Sequence, residues 1–110
     1  IVGGRPEIFP INYVLDGEAV VFRTNSGTKL AGTTQAEVAF EVDLTHAQTM
    51  SGWSVVVHGI AQEITDSDRA DLQERLRSLP LRVWVPGERS HLLRIVPVEI
   101  TGRRVGPSAD

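Results

Sequence analysis

Between Arg23 and Lys29 the chain reads Arg23-Thr24-Asn25-Ser26-Gly27-Thr28-Lys29, placing two cations, three hydroxyls and a glycine in seven residues. A strand that ends, turns on a glycine and starts a short helix aims backbone N–H groups at one point. Such groups, with Arg and Lys beside them, are what a phosphate dianion needs. The same residues also make an ordinary strand-to-helix turn with solvated charges, and spacing alone leaves both readings open. The order is not that of a Walker loop, which needs a four-residue spacer before Gly-Lys-Ser/Thr. Trp53, followed by Ser54, is either a core anchor or a ring that packs on a ligand. Trp84, in Val83-Trp84-Val85-Pro86-Gly87, suits a pocket rim as well as a core. His46, His58 and His91 fall in three segments without metal-ligand spacing, so no metal site is expected. Ser51, Ser54 and His58 lack the Gly-x-Ser-x-Gly elbow of a hydrolase. Glu37, Glu41 and Asp43 alternate as a solvated strand face does.

The elements that must position these groups fit one domain, since the chain has 110 residues. Hydrophobic residues make up 41% of it, enough for a single core, and they favour Val and Ile, which suits sheet. The net charge of −3 argues against a nucleic-acid surface, which needs a cationic excess. The absence of cysteine excludes disulfides, thiolate metal sites and cysteine nucleophiles, and points to a reducing cytoplasm. No apolar run approaches the roughly 20 residues that span a bilayer, so no membrane partner is expected.

Along the chain, Pro6 to Asp16 and Glu18 to Thr24 read as a β-hairpin turning at Asp16-Gly17, with Pro6 and Pro10 keeping part of the first strand at an edge or bulge. Thr28 to Thr34 suits one or two helical turns. Ala36 to Asp43 alternates as a half-buried strand, and Ser51 to Thr65 is a long strand with a bulge or bend at Gly59. Asp66-Ser67-Asp68 caps a helix over Asp68 to Leu79, with Leu72, Leu76 and Leu79 on one face and Pro80 stopping it. Ser90 to Val105 is a final strand interrupted at Pro97. The fold class expected is mainly β: an antiparallel, Greek-key-like split β-barrel with one inserted helix and a short helical turn, covering residues 1–106, with a loose tail at 107–110. An immunoglobulin-like sandwich is the rival, but the strands are too long and too few for it.

In this order, Arg5-Pro6-Glu7-Ile8-Phe9-Pro10-Ile11-Asn12-Tyr13, then Val21-Phe22-Arg23-Thr24 with Gly27-Thr28-Lys29-Leu30, Val38 to Asp43 and Gly52-Trp53-Ser54 to Gly59 resemble the pyridoxamine 5′-phosphate oxidase-like family, and within it the short actinobacterial-type members. The closing stretch, Trp84 to Arg89, Arg94-Ile95, Pro97 and Ile100 to Arg104, fits the same group. The resemblance implies a homodimer with two FMN sites at the subunit interface, a deazaflavin being the alternative ligand. It places Pro10, Ile11, Asn12 and Tyr13 along the flavin ring, Arg23, Thr24 and Lys29 on the phosphate, Trp53 and Ser54 near the ring or ribityl chain, and Trp84 at the edge of the substrate pocket. Family members open with a helix and first strand, whereas this sequence starts at Ile1-Val2-Gly3-Gly4, which reads as a strand tail entering a Gly-Gly turn, so more sequence upstream is expected.

The oxidases of the family carry an Arg-Lys pair where this chain has Thr28-Lys29, so vitamin B6 oxidation is not implied; Arg103 and Arg104 are candidates for a further phosphate clamp. The expected function is a flavin-dependent oxidoreductase acting on a small molecule. The alternatives are a non-catalytic flavin- or deazaflavin-binding homodimer (a carrier, a sensor or a deazaflavin-dependent reductase) and a structural homodimer with a vestigial groove. Haem binding lacks an obvious axial ligand, although His58 or His91 could serve.

Overall fold

The computed structural model describes residues 1–24, 34–76 and 91–106. Lys29, most of the expected short helical turn, Leu79, Pro80, Trp84 and the tail at 107–110 therefore lie outside the described residues. Among the described residues, five strands form one antiparallel sheet: β1 (Tyr13–Asp16), β2 (Ala19–Thr24), β3 (Glu37–His46), β4 (Ser51–Glu63) and β5 (His91–Val105), with one helix, α1 (Asp66–Leu76), between β4 and β5. The spatial order is β1-β2-β5-β4-β3. Strands β3, β4 and β5 follow one another, and β2 lies beside β5 after a long connection, which is a Greek key.

The sheet curls on itself. Strands β1 and β3 are its opposite edges, yet the ring of Tyr13 meets that of Phe40 edge-on, with centroids 4.8 Å apart and planes at 69°. An edge-to-face pair is worth about 0.5–1.5 kcal/mol beyond the area it buries. Inside the curl Val20, Phe22, Phe40, Val57, Leu93 and Ile95 are buried, with Ile11, Val38, Val42 and Val55 packed against them. These residues alternate along β2, β3 and β4, as the sequence pattern requires. The result is the split β-barrel that was expected.

Local details depart from the sequence reading in instructive ways. Residues 6–12 are not strand; β1 starts only at Tyr13. The hairpin loop is Gly17-Glu18 and not Asp16-Gly17, because Asp16 pairs with Ala19. Gly17, at φ 62°, supplies the positive φ that a two-residue hairpin loop needs. The bulge is where Gly59 and Pro97 suggested it: the register steps from His58 opposite Glu99 to Gly59 opposite Pro97, leaving Val98 as the extra residue. Any Cβ at Gly59 would run into the Val96 carbonyl, so glycine lets β4 and β5 approach there.

The helix begins earlier than expected. Thr65 Oγ1 accepts the Asp68 backbone N–H at 3.4 Å, which makes Thr65 the cap and puts Asp66 and Asp68 in the first turn, where the helix dipole favours them. Leu72 anchors α1 on the outer face of the sheet against Val21, Ile64 and Leu92. Two ion pairs add to this anchor: Arg75 grips Asp16 through Nε and Nη2 at 2.9 and 2.8 Å, and Arg94 reaches Asp68 at 3.2 Å.

Truncating Phe40→Ala removes both core volume and the contact between the edges, and should lower stability by roughly 3 kcal/mol or more, read from urea unfolding. The Arg75 hydrogen bond holds the Asp16 carboxyl below its ordinary value, with the Arg75 and Arg94 charges adding to the effect. A carboxyl depressed in the folded state stabilises above its unfolded pKa and loses that contribution as pH falls through its folded value. Asp16→Asn should therefore lower the melting temperature at pH 7, and the gap from wild type should close below the ordinary carboxylate range.

Candidate functional site

The end of β2 carries Arg23 and Thr24, both half-buried. Consecutive strand residues point to opposite faces, so Thr24, opposite His91, belongs to the inner face, while Arg23, opposite Leu92, belongs to the outer face beside α1. They flank the strand end from opposite faces, followed in sequence by Asn25 to Lys29.

The Pro10–Tyr13 segment lies next to this end. Tyr13 pairs with Phe22, the residue before Arg23, and stacks on Phe40. Ile11 packs on the core, while Pro10 and Asn12 are exposed. The structure thus brings Pro10 to Tyr13 and Arg23-Thr24 to neighbouring strands.

Trp53 and Ser54 are elsewhere. Trp53 sits near the start of β4, between Leu44 and Arg104, on the inner face. Ser54 sits on the outer face between Asp43 and Arg103. Glu63, level with Phe22 through Leu93, lies at the other end of β4. From Trp53 to Glu63 is roughly 33 Å of strand at about 3.3 Å per residue. Trp53-Ser54 and Arg23-Thr24 therefore occupy opposite ends of the sheet, with Pro10 to Tyr13 at the Arg23-Thr24 end.

The far end has a chemistry of its own. Its inner face runs past the core and leaves Leu44, Trp53 and Ile100 exposed at 46%, 40% and 55%. Its outer face sets Arg103 in register with Ser54 and Asp43. Glu41, two residues from Asp43 on that face, has its pKa raised, first by a hydrogen bond with Asp43 and then by desolvation and the Asp43 charge. A carboxyl pair and two arginines on either side of a Trp-Ser step form an extended polar and aromatic platform. Sequence reading named Arg103 and Arg104 but missed their alignment, because register between β4 and β5 depends on the Val98 bulge.

A cavity of about 490 Å³ lies apart from all these residues, between the N-terminal segment and the first half of β3, near the bulge, with Glu7, Glu37, His58 and Val98 among its lining. No group of three His, Cys, Asp or Glu side chains close enough to hold a metal occurs among the described residues. His58 Nδ1 instead faces Glu99 at 3.4 Å, and His91 Nδ1 bonds Glu63. Arg23 and Thr24 carry donor groups at the end of β2, and the Trp53 ring is exposed at the start of β4.

Comparison with known proteins agrees on what this architecture belongs to. The family profile described as pyridoxamine 5′-phosphate oxidase matches residues 1–104. An uncharacterized protein of Mycobacterium tuberculosis is 38% identical over 100 residues, spanning 88% of this chain and 86% of the relative. The solved structure of an FAD-binding protein from Mycobacterium smegmatis superposes with a TM-score of 0.78 at 38% identity, over 98% of this chain and 82% of that one. An FAD-binding protein from Mesorhizobium loti shares the fold with a TM-score of 0.75 at 22% identity, over 94% of this chain and 80% of its own.

Proposed function

This chain belongs to the pyridoxamine 5′-phosphate oxidase family, and we propose that it is a homodimeric flavoprotein that holds FMN between two subunits and serves oxidoreduction of a small molecule. The observation that carries the reading is the separation just described. Arg23-Thr24 with Pro10 to Tyr13 at one end, and Trp53-Ser54 at the other, lie further apart along the sheet than one flavin mononucleotide extends. Two copies laid head to tail bring one subunit's Trp53 end to the other's Thr24 end. The FAD-binding names of the M. smegmatis and M. loti proteins support a flavin as the ligand.

Each group then has a task. Arg23, Thr24 and Lys29 bind the phosphate through charge-assisted hydrogen bonds. Pro10 to Tyr13 support the edge of the ring, Tyr13 being fixed in place by Phe40. Trp53 covers the ring and excludes water, Ser54 supplies a hydroxyl, and Trp84 borders the substrate space. The exposed Leu44, Trp53 and Ile100 become subunit contacts, since an apolar sheet face of this kind marks an interaction site. A bound flavin supplies the two-electron chemistry, which leaves the protein to orient the ligand and tune its surroundings.

Freshly purified protein, or protein given FMN, should show a flavin absorbance spectrum, and a colourless protein that stays so with FMN would overturn the reading. Lys29→Ala should weaken FMN binding by about 1.5–3 kcal/mol while leaving riboflavin, which has no phosphate, almost unaffected. In sedimentation the wild type should run as a dimer. Placing a charge at the exposed face with Ile100→Glu should shift it to monomer and release the flavin, leaving the far-UV spectrum unchanged.

A further inference from the structure

The cavity of about 490 Å³ lies between the N-terminal segment and the outer face of β3 and β4, apart from the residues assigned to the flavin. Register puts Glu37 opposite Ile60 and Ala39 opposite His58, and alternation sets all four on that outer face, where they form the floor. A tight turn builds the wall. Val2 and Arg5 exchange backbone hydrogen bonds of 2.9 and 3.1 Å across Gly3 and Gly4. The two glycines, at φ 59° and 78°, supply the positive φ that both central positions of such a turn need. The turn leaves Ile1 and Pro6 on its two arms, and the chain runs on through Glu7 and Ile8; all four line the cavity. The bulge residue Val98 adds to the lining from β5.

The lining combines apolar surface with charge of one sign. Ile8 and Val98 keep 95% and 76% of their surface open, so the cavity has uncovered apolar lips. Glu7 and Glu37 are exposed carboxylates with no hydrogen bond or ion pair among the described residues, and no Lys or Arg of those residues lines the cavity. His58 Nδ1 faces Glu99 at 3.4 Å, so any charge on that ring is already balanced. An anion would meet two uncompensated carboxylates here, and a neutral apolar molecule would leave them unused. A cation on an apolar body uses both parts: carboxylates accept from its N–H groups, while the apolar walls shed water. The volume falls in the range of roughly 300–1,000 Å³ typical of small-ligand pockets. Leu44, Trp53 and Ile100, assigned above to the partner subunit, lie on the opposite face of the sheet.

We propose that this cavity is a second ligand site and that it takes a small organic cation, an ammonium group carried on an apolar body. Glu7 and Glu37 hold the ammonium, while Ile8, Ile60 and Val98 bear on the body. The site stands whether or not a flavin is bound, because it shares no residue with the flavin positions.

The test follows backbone amide shifts of the full chain by NMR during titration with three probes of similar size: benzylamine, benzyl alcohol and benzoate. The expected result is saturable binding of benzylamine with shifts at Glu7, Ala39, Ile60 and Val98, weaker binding of the alcohol, and none of benzoate. The double variant Glu7→Gln, Glu37→Gln should bind benzylamine roughly tenfold more weakly, as two exposed charge contacts would give, and the alcohol unchanged. Ala39→Lys, which sets a cation on the exposed floor, should abolish benzylamine binding and keeps the test open if the double variant does not fold. Equal affinity for all three probes, a folded double variant that binds benzylamine as wild type does, or shifts confined to other residues would overturn the proposal. So would the absence of benzylamine binding at millimolar concentration. FMN titrated into the double variant should bind as it does to wild type; a parallel loss of FMN would refute a site separate from the flavin's.

Discussion

Phe40 holds the place where the two edges of this sheet come round to each other. It sits on β3, the last strand in spatial order, and touches Tyr13 on β1, the first. The two edge strands are not paired through their backbones, so this ring contact is where the curl of the sheet brings them together. Because the two residues lie at sequence positions that no local interaction joins, the curl depends on the core beneath them being filled. Phe22, Val57, Leu93 and Ile95 do that filling. A barrel this narrow has its interior occupied by side chains. Any ligand must therefore be bound at the rims or on the outer surfaces.

The sheet is also longer than its core. Strands β4 and β5 pair from Glu63 opposite Leu93 to Gly52 opposite Val105, but burial on β5 stops at Ile95. The Val98 bulge lies where burial gives way to exposure, and a bulge bends and twists the strand that carries it. Beyond it the backbone hydrogen bonds continue while the side chains of β5 from Val98 onward are exposed. A three-stranded extension with Leu44, Trp53 and Ile100 in the open is unfavourable for an isolated monomer and well suited to a surface that another copy covers.

Much of this was legible in the sequence because the relevant forces are local. Alternation in Glu37 to Asp43, the glycine at 59 and the proline at 97 each announce a strand or its interruption through backbone sterics alone. The helix start was read at Asp68 instead of Asp66, since Asp66, Ser67 and Asp68 are all good caps and only the geometry shows that Thr65 takes the role. The hairpin turn was off by one for a similar reason: Gly17 fits either central position, and the pairing of Asp16 with Ala19 decides between them. The pairing of His91 with Glu63, 28 residues apart, gave no signal, because it arises from register across β2, β5 and β4 and not from spacing.

The residue types of the proposed site stand in the sequence, whereas their arrangement on the sheet does not. Arg23 and Thr24 are neighbours in sequence, whereas their distance from Trp53 follows from topology. In the order β2-β5-β4 the middle strand runs opposite to both neighbours, so β2 and β4 run in the same direction and their starts lie at the same end of the sheet. Strand β4 overhangs at that end: Val20 is level with Ala61 through Ile95, so Ala19 lies near the level of Ile60, with the run from Trp53 to Gly59 extending beyond it. The end of β2 and the start of β4 are consequently held apart by the full length of β4. No side-chain rearrangement can bridge them, since doing so would break the ladder that joins β4 to β5. If both ends serve one ligand, the second end has to come from another molecule, and in a homodimer the same symmetry that supplies it once supplies it twice.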